Sequence, residues 1–194
     1  MTYADSVNKI TEIAKKSNLT YEIYVTSLNE CSDLFGDKFN DIFFKDILSY
    51  GYVGGVDIPW SAEYFSIYRF GDLASRQIGY RIEGRTGEIS VAWDQDKYVI
   101  GDWTGNPISI DQDGSISYAR HGMGKWHYVR IAGNLEIFLD VISEWIKYFV
   151  IDNKKNIFDD DFEICKDKIS VIERDVLIGL DFDEKKGFLK FLMG

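Results

Sequence analysis

The chain has 194 residues, 45% of them hydrophobic and 15% aromatic, which is enough to bury a substantial core in one domain, at most with an appendage. Lys and Arg total 22 against 32 Asp and Glu, a formal net charge of -10. That balance argues against binding to a phosphate backbone, leaves room for a local basic patch, and suits a basic protein partner.

Cys31 and Cys165 are far apart and in no metal-ligand spacing, so the simplest reading is two free thiols in a reducing compartment, with a bridge between them left open. The first residues, MTYADSVNKITEIAKK, are polar and amphipathic, without a basic patch leading into an apolar core. No later run approaches the roughly 18 apolar residues of a membrane span. A cytoplasmic protein is the expectation.

In chain order, Val7, Ile10 and Ile13 or Ala14 recur at helical spacing, and Lys15 and Lys16 follow where the helix dipole favours cations. This predicts a first helix over residues 4–17. TYEIYVTSL fits helix or strand. KFNDIFFKDILSYGYVGG then places Phe39, Ile42, Phe43, Ile47 and Tyr50 on one side of a second helix, ended by Gly51, Gly54 and Gly55.

From Glu63 the apolar period changes from about 3.6 to about 2. EYFSIYRF, RQIGYRIE, GEISVAWD, KYVIGDW, NPISID, SISYAR and KWHYVRI are short runs of β-branched and aromatic residues separated by turn formers, which predicts an antiparallel meander. Gly105, Pro107, Gly114 and Gly122 are expected to shape its loops, Gly114 at positive φ. Asn134 is placed to cap a helix running through Phe149, with Leu135, Phe138, Leu139, Ile142, Trp145 or Ile146, and Phe149 on its buried face. After Ile151, the acidic stretch Asp159, Asp160 and Asp161 precedes apolar residues from Ile169 to Ile178, read as an ordered C-terminal extension. The predicted fold class is α+β: a twisted, mainly antiparallel sheet of about six strands, with N-terminal helices and one helix packed on it afterwards. Residues 1–150 form the domain, and 151–194 form an extension packed on it.

Motifs for chemistry mostly fail. Asp111, Asp113 and Gly114 resemble part of a calcium loop, but Ser109 stands at the first ligand position and Arg120 where a bidentate Glu is needed, so a turn is predicted. GMGK at Gly122 to Lys125 lacks the leading Gly of a phosphate loop and is followed by Trp126 rather than a hydroxyl residue. His121 and His127 read as ordinary hydrogen-bonded or exposed histidines, with a zinc or general-base role beside Asp102 or Asp111 as the minor alternative. No G-x-S-x-G elbow occurs, and the sequence alone picks no catalytic carboxylate pair. Of the tryptophans, Trp145 belongs to the core and Trp93 and Trp126 to the cover of the sheet. Trp103, just before a turn, is the best candidate for contact with a ligand.

The run from Val99 to Trp145, with Gly105, Asn106 and Pro107, then Ile110 and Asp111, Gly114, and finally Asn134, Leu135, Phe138 and Leu139, resembles the SUKH superfamily. That group includes the yeast cell-wall assembly regulator and many bacterial immunity proteins. The resemblance covers about a quarter of the chain closely and rests on packing and turn signals. It implies a non-enzymatic domain without cofactor or metal that binds and neutralises a protein toxin, often a nuclease, in competition between bacteria. A regulatory or scaffold module with an endogenous partner is the first alternative, and a metal-dependent hydrolase using His121 or His127 the second. The partner-facing residues expected on this reading are Asp94, Asp96, Asp102, Asp111 and Asp113, as a negative rim around Trp103.

Overall fold

The computed structural model describes residues 2–35, 41–60, 63–103, 105–122 and 125–193, with the side chains of 41–43 and 63 outside that description. Helices α1 (Tyr3–Lys16), α2 (Leu28–Phe35) and α3 (Asp41–Tyr50) are interleaved with short strands β1 (Glu22–Tyr24) and β2 (Tyr52–Gly54). Then come β3 (Val56–Trp60), β4 (Glu63–Ile67), β5 (Lys97–Trp103), β6 (Asn106–Asp111), β7 (Ile116–Ala119) and β8 (Tyr128–Ala132). Helices α4 (Leu135–Ile146), α5 (Lys166–Val171) and α6 (Phe182–Met193) complete the chain. Strands β3 to β8 pair in sequence order as a six-stranded antiparallel meander, and β1 pairs with β2 in a separate small sheet. The fold is α+β, as the sequence predicts.

Helix α1 begins in a reciprocal capping box, in which the Thr2 side chain accepts from Asp5 N and the Asp5 carboxylate accepts from Thr2 N. Its Val7, Ile10 and Ala14 are buried, and Lys9 pairs with Asp140 and, at 2.7 Å, with Glu144 of α4. Helix α4 starts where Asn134 Oδ1 accepts from Ile137 N at 2.8 Å. Leu135, Phe138, Leu139, Ile142, Trp145, Ile146 and Phe149 are all buried, as their spacing predicts. The α-helix gives way at Lys147 to wider π-type turns through Asp152, so Phe149 is buried from a π turn rather than from α4. Trp145 packs on Trp60 with ring centroids 4.4 Å apart and donates from Nε1 to Pro59 O at 3.2 Å. Pro59 is tolerated because β3 is the edge of the sheet.

The C-terminal segment packs on the same core. Gly187 lets α6 approach β8, since a Cβ there would lie 2.1 Å from the Arg130 carbonyl oxygen. The buried Glu184 receives Arg130 Nε at 3.1 Å and Asp181 N at 3.1 Å. Phe191 meets Trp60, Phe65, Trp103 and Tyr118 within 6 Å centroid to centroid.

Three expectations need correction. RQIGYRIE and GEISVAWD do not join the sheet; they belong to segment 68–96, which contains two short 3₁₀ turns and isolated bridges. The sixth strand is β3, from VDIPW, whose Pro59 obscured it. Tyr50 is 50% exposed at the last position of α3, while Phe44 and Ile47 carry that helix's buried side; the side chains of Phe39, Ile42 and Phe43 lie outside the described residues. TYEIYVTSL resolves into β1 and the start of α2. Both cysteines are unbridged, Cys31 buried and Cys165 partly exposed. Among the described residues no helix is long and apolar enough to cross a membrane.

Candidate functional site

Strand alternation divides the sheet. Trp60, Phe65, Trp103, Ile108, Ile110 and Tyr118 fall on the side of α4 and α6, and Asp57, Ser66, Asp102, Pro107, Ser109 and Ser117 on the other. Strand β5 outruns its neighbour, since β4 pairs only with Gly101–Trp103. The backbone groups of β5 nearer Lys97 therefore need other partners. Side chains of segment 68–96 supply them. Gln77 Nε2 donates to Val99 O at 2.9 Å and to Leu73 O at 2.8 Å, Gln77 Oε1 accepts from Val99 N at 3.0 Å, and Trp93 Nε1 donates to Lys97 O at 2.9 Å. Gln95 Nε2 ties the same segment to itself through Ser90 O at 2.9 Å.

This docking builds an aromatic cluster. Trp93 is the hub, 5.2 Å from Tyr80, 5.1 Å from Trp126 and 5.3 Å from Tyr128, centroid to centroid. Trp93 is buried, whereas Tyr80, Trp126 and Tyr128 are partly exposed. Lys97 Nζ lies 4.7 Å from the Tyr128 ring centre, and Tyr128 Oη accepts from Asp94 N at 3.1 Å. Beside the cluster Arg76 stacks on Tyr68 at 4.6 Å, and the Tyr68 phenol faces the Asp102 carboxylate. Burial, with the Asp102 carboxylate adding to it, pushes the Tyr68 and Tyr80 phenols above their ordinary range, so both remain neutral donors at physiological pH.

The six predicted contact residues are split between two ends of β5, separated by roughly 20 Å at about 3.3 Å per residue. Asp94, Asp96, Asp111 and Asp113 gather at the Lys97 end. Asp94 and Asp96 are exposed: the Asp94 carboxylate accepts from Asp96 N at 3.1 Å, and the Asp96 carboxylate accepts from Gln112 Nε2 at 2.6 Å. Asp111 is engaged internally, paired with Lys97 and accepting from Ser115 Oγ at 3.0 Å and Ser117 Oγ at 3.2 Å. Burial works against ionisation of Asp113, yet hydrogen bonds from Ser115 and the charges of Arg130 and Lys97 hold it below the usual carboxylate range. Gly114, at φ 86°, closes this turn by donating to Asp111 O at 2.8 Å, which is the turn the sequence predicts.

Asp102 and Trp103 stand at the far end, on opposite faces. Asp102 accepts from Gly105 N at 2.9 Å and faces Tyr68. The Trp103 indole turns toward the core, 6.2 Å from Trp60 and 5.9 Å from Phe191, and its buried Nε1 has no acceptor among the described residues. The aromatic surface between the two acidic ends is formed by Tyr80 and Trp126 instead. Trp126 falls to the sheet cover as the sequence predicts, but nothing in the sequence signals that Tyr80 joins it, because the two are 46 residues apart and the fold alone brings their rings together. His121 and His127 are exposed; His121 N donates to Asn106 Oδ1, and its ring lies 5.9 Å from Trp126. Among the described residues no three His, Cys, Asp or Glu are grouped to hold a metal ion.

The fold and this face together define an α+β domain whose sheet is backed by helices on one side and by a side-chain-tethered aromatic cover, acidic at both ends, on the other. Set against known proteins, the chain matches no family model, no curated protein and no solved structure.

Proposed function

We propose that this chain is a non-enzymatic, cytoplasmic immunity protein that binds and neutralises a basic protein toxin, with a nuclease as the leading class. The observation that carries the reading is the partly exposed pair Tyr80 and Trp126, 5.7 Å apart, lying between Asp94 and Asp96 on one flank and Asp102 on the other. Rigid aromatic side chains ringed by charge suit protein recognition, because they bury much area for little conformational entropy while the rim steers an oppositely charged partner. The net charge of -10 supports the same partner class, since a nuclease surface must attract phosphate. The SUKH resemblance of residues 99–145, to a group that includes many bacterial immunity proteins, supports a toxin as that partner.

The test is association kinetics with the protein encoded by the neighbouring gene. Asp94→Lys with Asp96→Lys should slow association and flatten its dependence on salt while leaving the melting temperature in place, because both carboxylates are exposed. Trp126→Ala should speed dissociation by about tenfold or more, as loss of a central aromatic does. Wild-type kinetics at low salt in all these folded variants would move recognition to another face, and failure of the neighbouring product to bind at all would sink the immunity reading.

A further inference from the structure

The loop that supplies the aromatic cover also forms, on the other side of Tyr98, a pocket of about 330 Å³ against α2. Leu34, Ile82 and Ile89 give it apolar walls, and Asp33, Gln77, Arg81 and Gln95 are its polar residues. This volume is at the small end of ligand pockets. Its unusual member is Arg81. The guanidinium lies 5.0 Å from the Tyr98 ring centre, so one of its faces is covered by an aromatic. Its hydrogen bond runs from Nη2 to Gln95 O at 3.1 Å, while Nε is buried and meets no acceptor among the described residues. Among those residues no carboxylate lies within ion-pair distance of it.

A half-buried guanidinium with an unpaired Nε favours an anion beside it, and stacking on Tyr98 leaves the in-plane N–H edge, the edge that a carboxylate matches with two parallel hydrogen bonds, for that role. Burial lowers the Arg81 pKa while Tyr98 and the Asp96 carboxylate, which lies beyond ion-pair distance, pull it the other way; a guanidinium stays protonated, so the charge is permanent. The rest of the lining selects the body of the ligand. Ile89 is 72% exposed at the opening and, with Leu34 and Ile82, offers aliphatic contact, while the exposed carboxylate of Asp33 at the same opening repels a second negative charge. We propose that this pocket binds a small aliphatic monocarboxylate, held by Arg81 in the plane of its guanidinium. The carboxylate can come from a free organic acid or from an acidic side chain flanked by apolar residues on another polypeptide.

The test is an NMR titration of the Arg81 Nε–Hε resonance in the whole protein, without any toxin present, so its outcome does not depend on the immunity reading. With 4-methylpentanoate the resonance should move along a saturable curve with a midpoint of about 1 mM, the range open to so few heavy atoms. The uncharged 4-methylpentanamide should leave it in place. Arg81→Lys keeps the charge but loses the fork, and should weaken the effect of the acid on the melting temperature by about tenfold. Acetyl-Leu-Glu-Leu-amide separates the sources: saturation at lower concentration than the free acid identifies a polypeptide ligand, and the reverse order a free acid. The absence of saturable movement with either compound, or equal movement with the amide, overturns the proposal; because these readings use the unmodified protein, they stand even if the variant fails to fold.

Discussion

On the helix side of the sheet, Phe138, Leu139, Trp145 and Phe191 are buried by apolar periodicity and shape; beyond β5, segment 68–96 is held by three polar side chains, Gln77, Trp93 and Gln95, bonded to backbone. The difference matters because the two regions answer to different forces. Apolar packing tolerates small shifts and is lost in proportion to volume removed, whereas a side chain standing in for a strand leaves buried donors and acceptors unpaired if it goes.

The largest effect should come from the apolar side. Phe138→Ala empties a fully buried site and should cost roughly 3–5 kcal/mol, read from denaturant unfolding, with both regions lost together. A loss below about 1 kcal/mol would mean that the core closes over the cavity. On the polar side, Gln77→Leu strands Val99 N and O and should cost about 2–3 kcal/mol. Its signature is regional: amide exchange should quicken through residues 70–99 while α4 stays protected, and uniform quickening would erase the contrast between the two regions.

The smallest effect concerns charge beside α4. Burial raises the Glu136 pKa, and Asp46, Asp5 and Asp140 push it the same way. Because its folded-state pKa exceeds the unfolded value, the folded protein binds the proton more tightly. Stability from this group therefore rises as pH falls through the folded value and is fully gained below the ordinary Glu value. Glu136→Gln should raise stability at pH 7 by less than about 1 kcal/mol, since the group is partly exposed and screened, and should remove part of the gain on mild acidification. An unchanged pH profile in the variant would assign that gain to other carboxylates.

This contrast also explains what could be read from the sequence. Helix α1 was legible to within a residue at each end, because capping, periodicity and terminal lysines agree. The same agreement made Asn134 and the buried face of α4 visible. RQIGYRIE and GEISVAWD have the composition of strands, yet strand identity lies in the partner, and theirs are side chains and isolated bridges. Conversely, VDIPW carries a proline that reads as a break until its edge position is known. At the site, turn chemistry places Asp94, Asp96, Asp102, Asp111 and Asp113 at strand ends, and the fold gathers four of them at the Lys97 end of β5 and leaves Asp102 at the other; which face Trp103 takes depends on register, and one residue separates its core-facing indole from the outward Asp102.

The close approach of α6 to β8 also governs how this protein behaves in a crowded solution. An open meander ends in two strands whose outer backbone groups invite pairing with a neighbouring molecule. At β3 the invitation is blunted by Pro59, which has no N–H to give and whose carbonyl is occupied by Trp145. At β8 it is withdrawn by α6, lying against the Arg130 carbonyl at Gly187. A chain ending before Asp181 would expose that strand and the apolar seat of Phe188 and Phe191 together, turning a self-contained molecule into a template for its own copies.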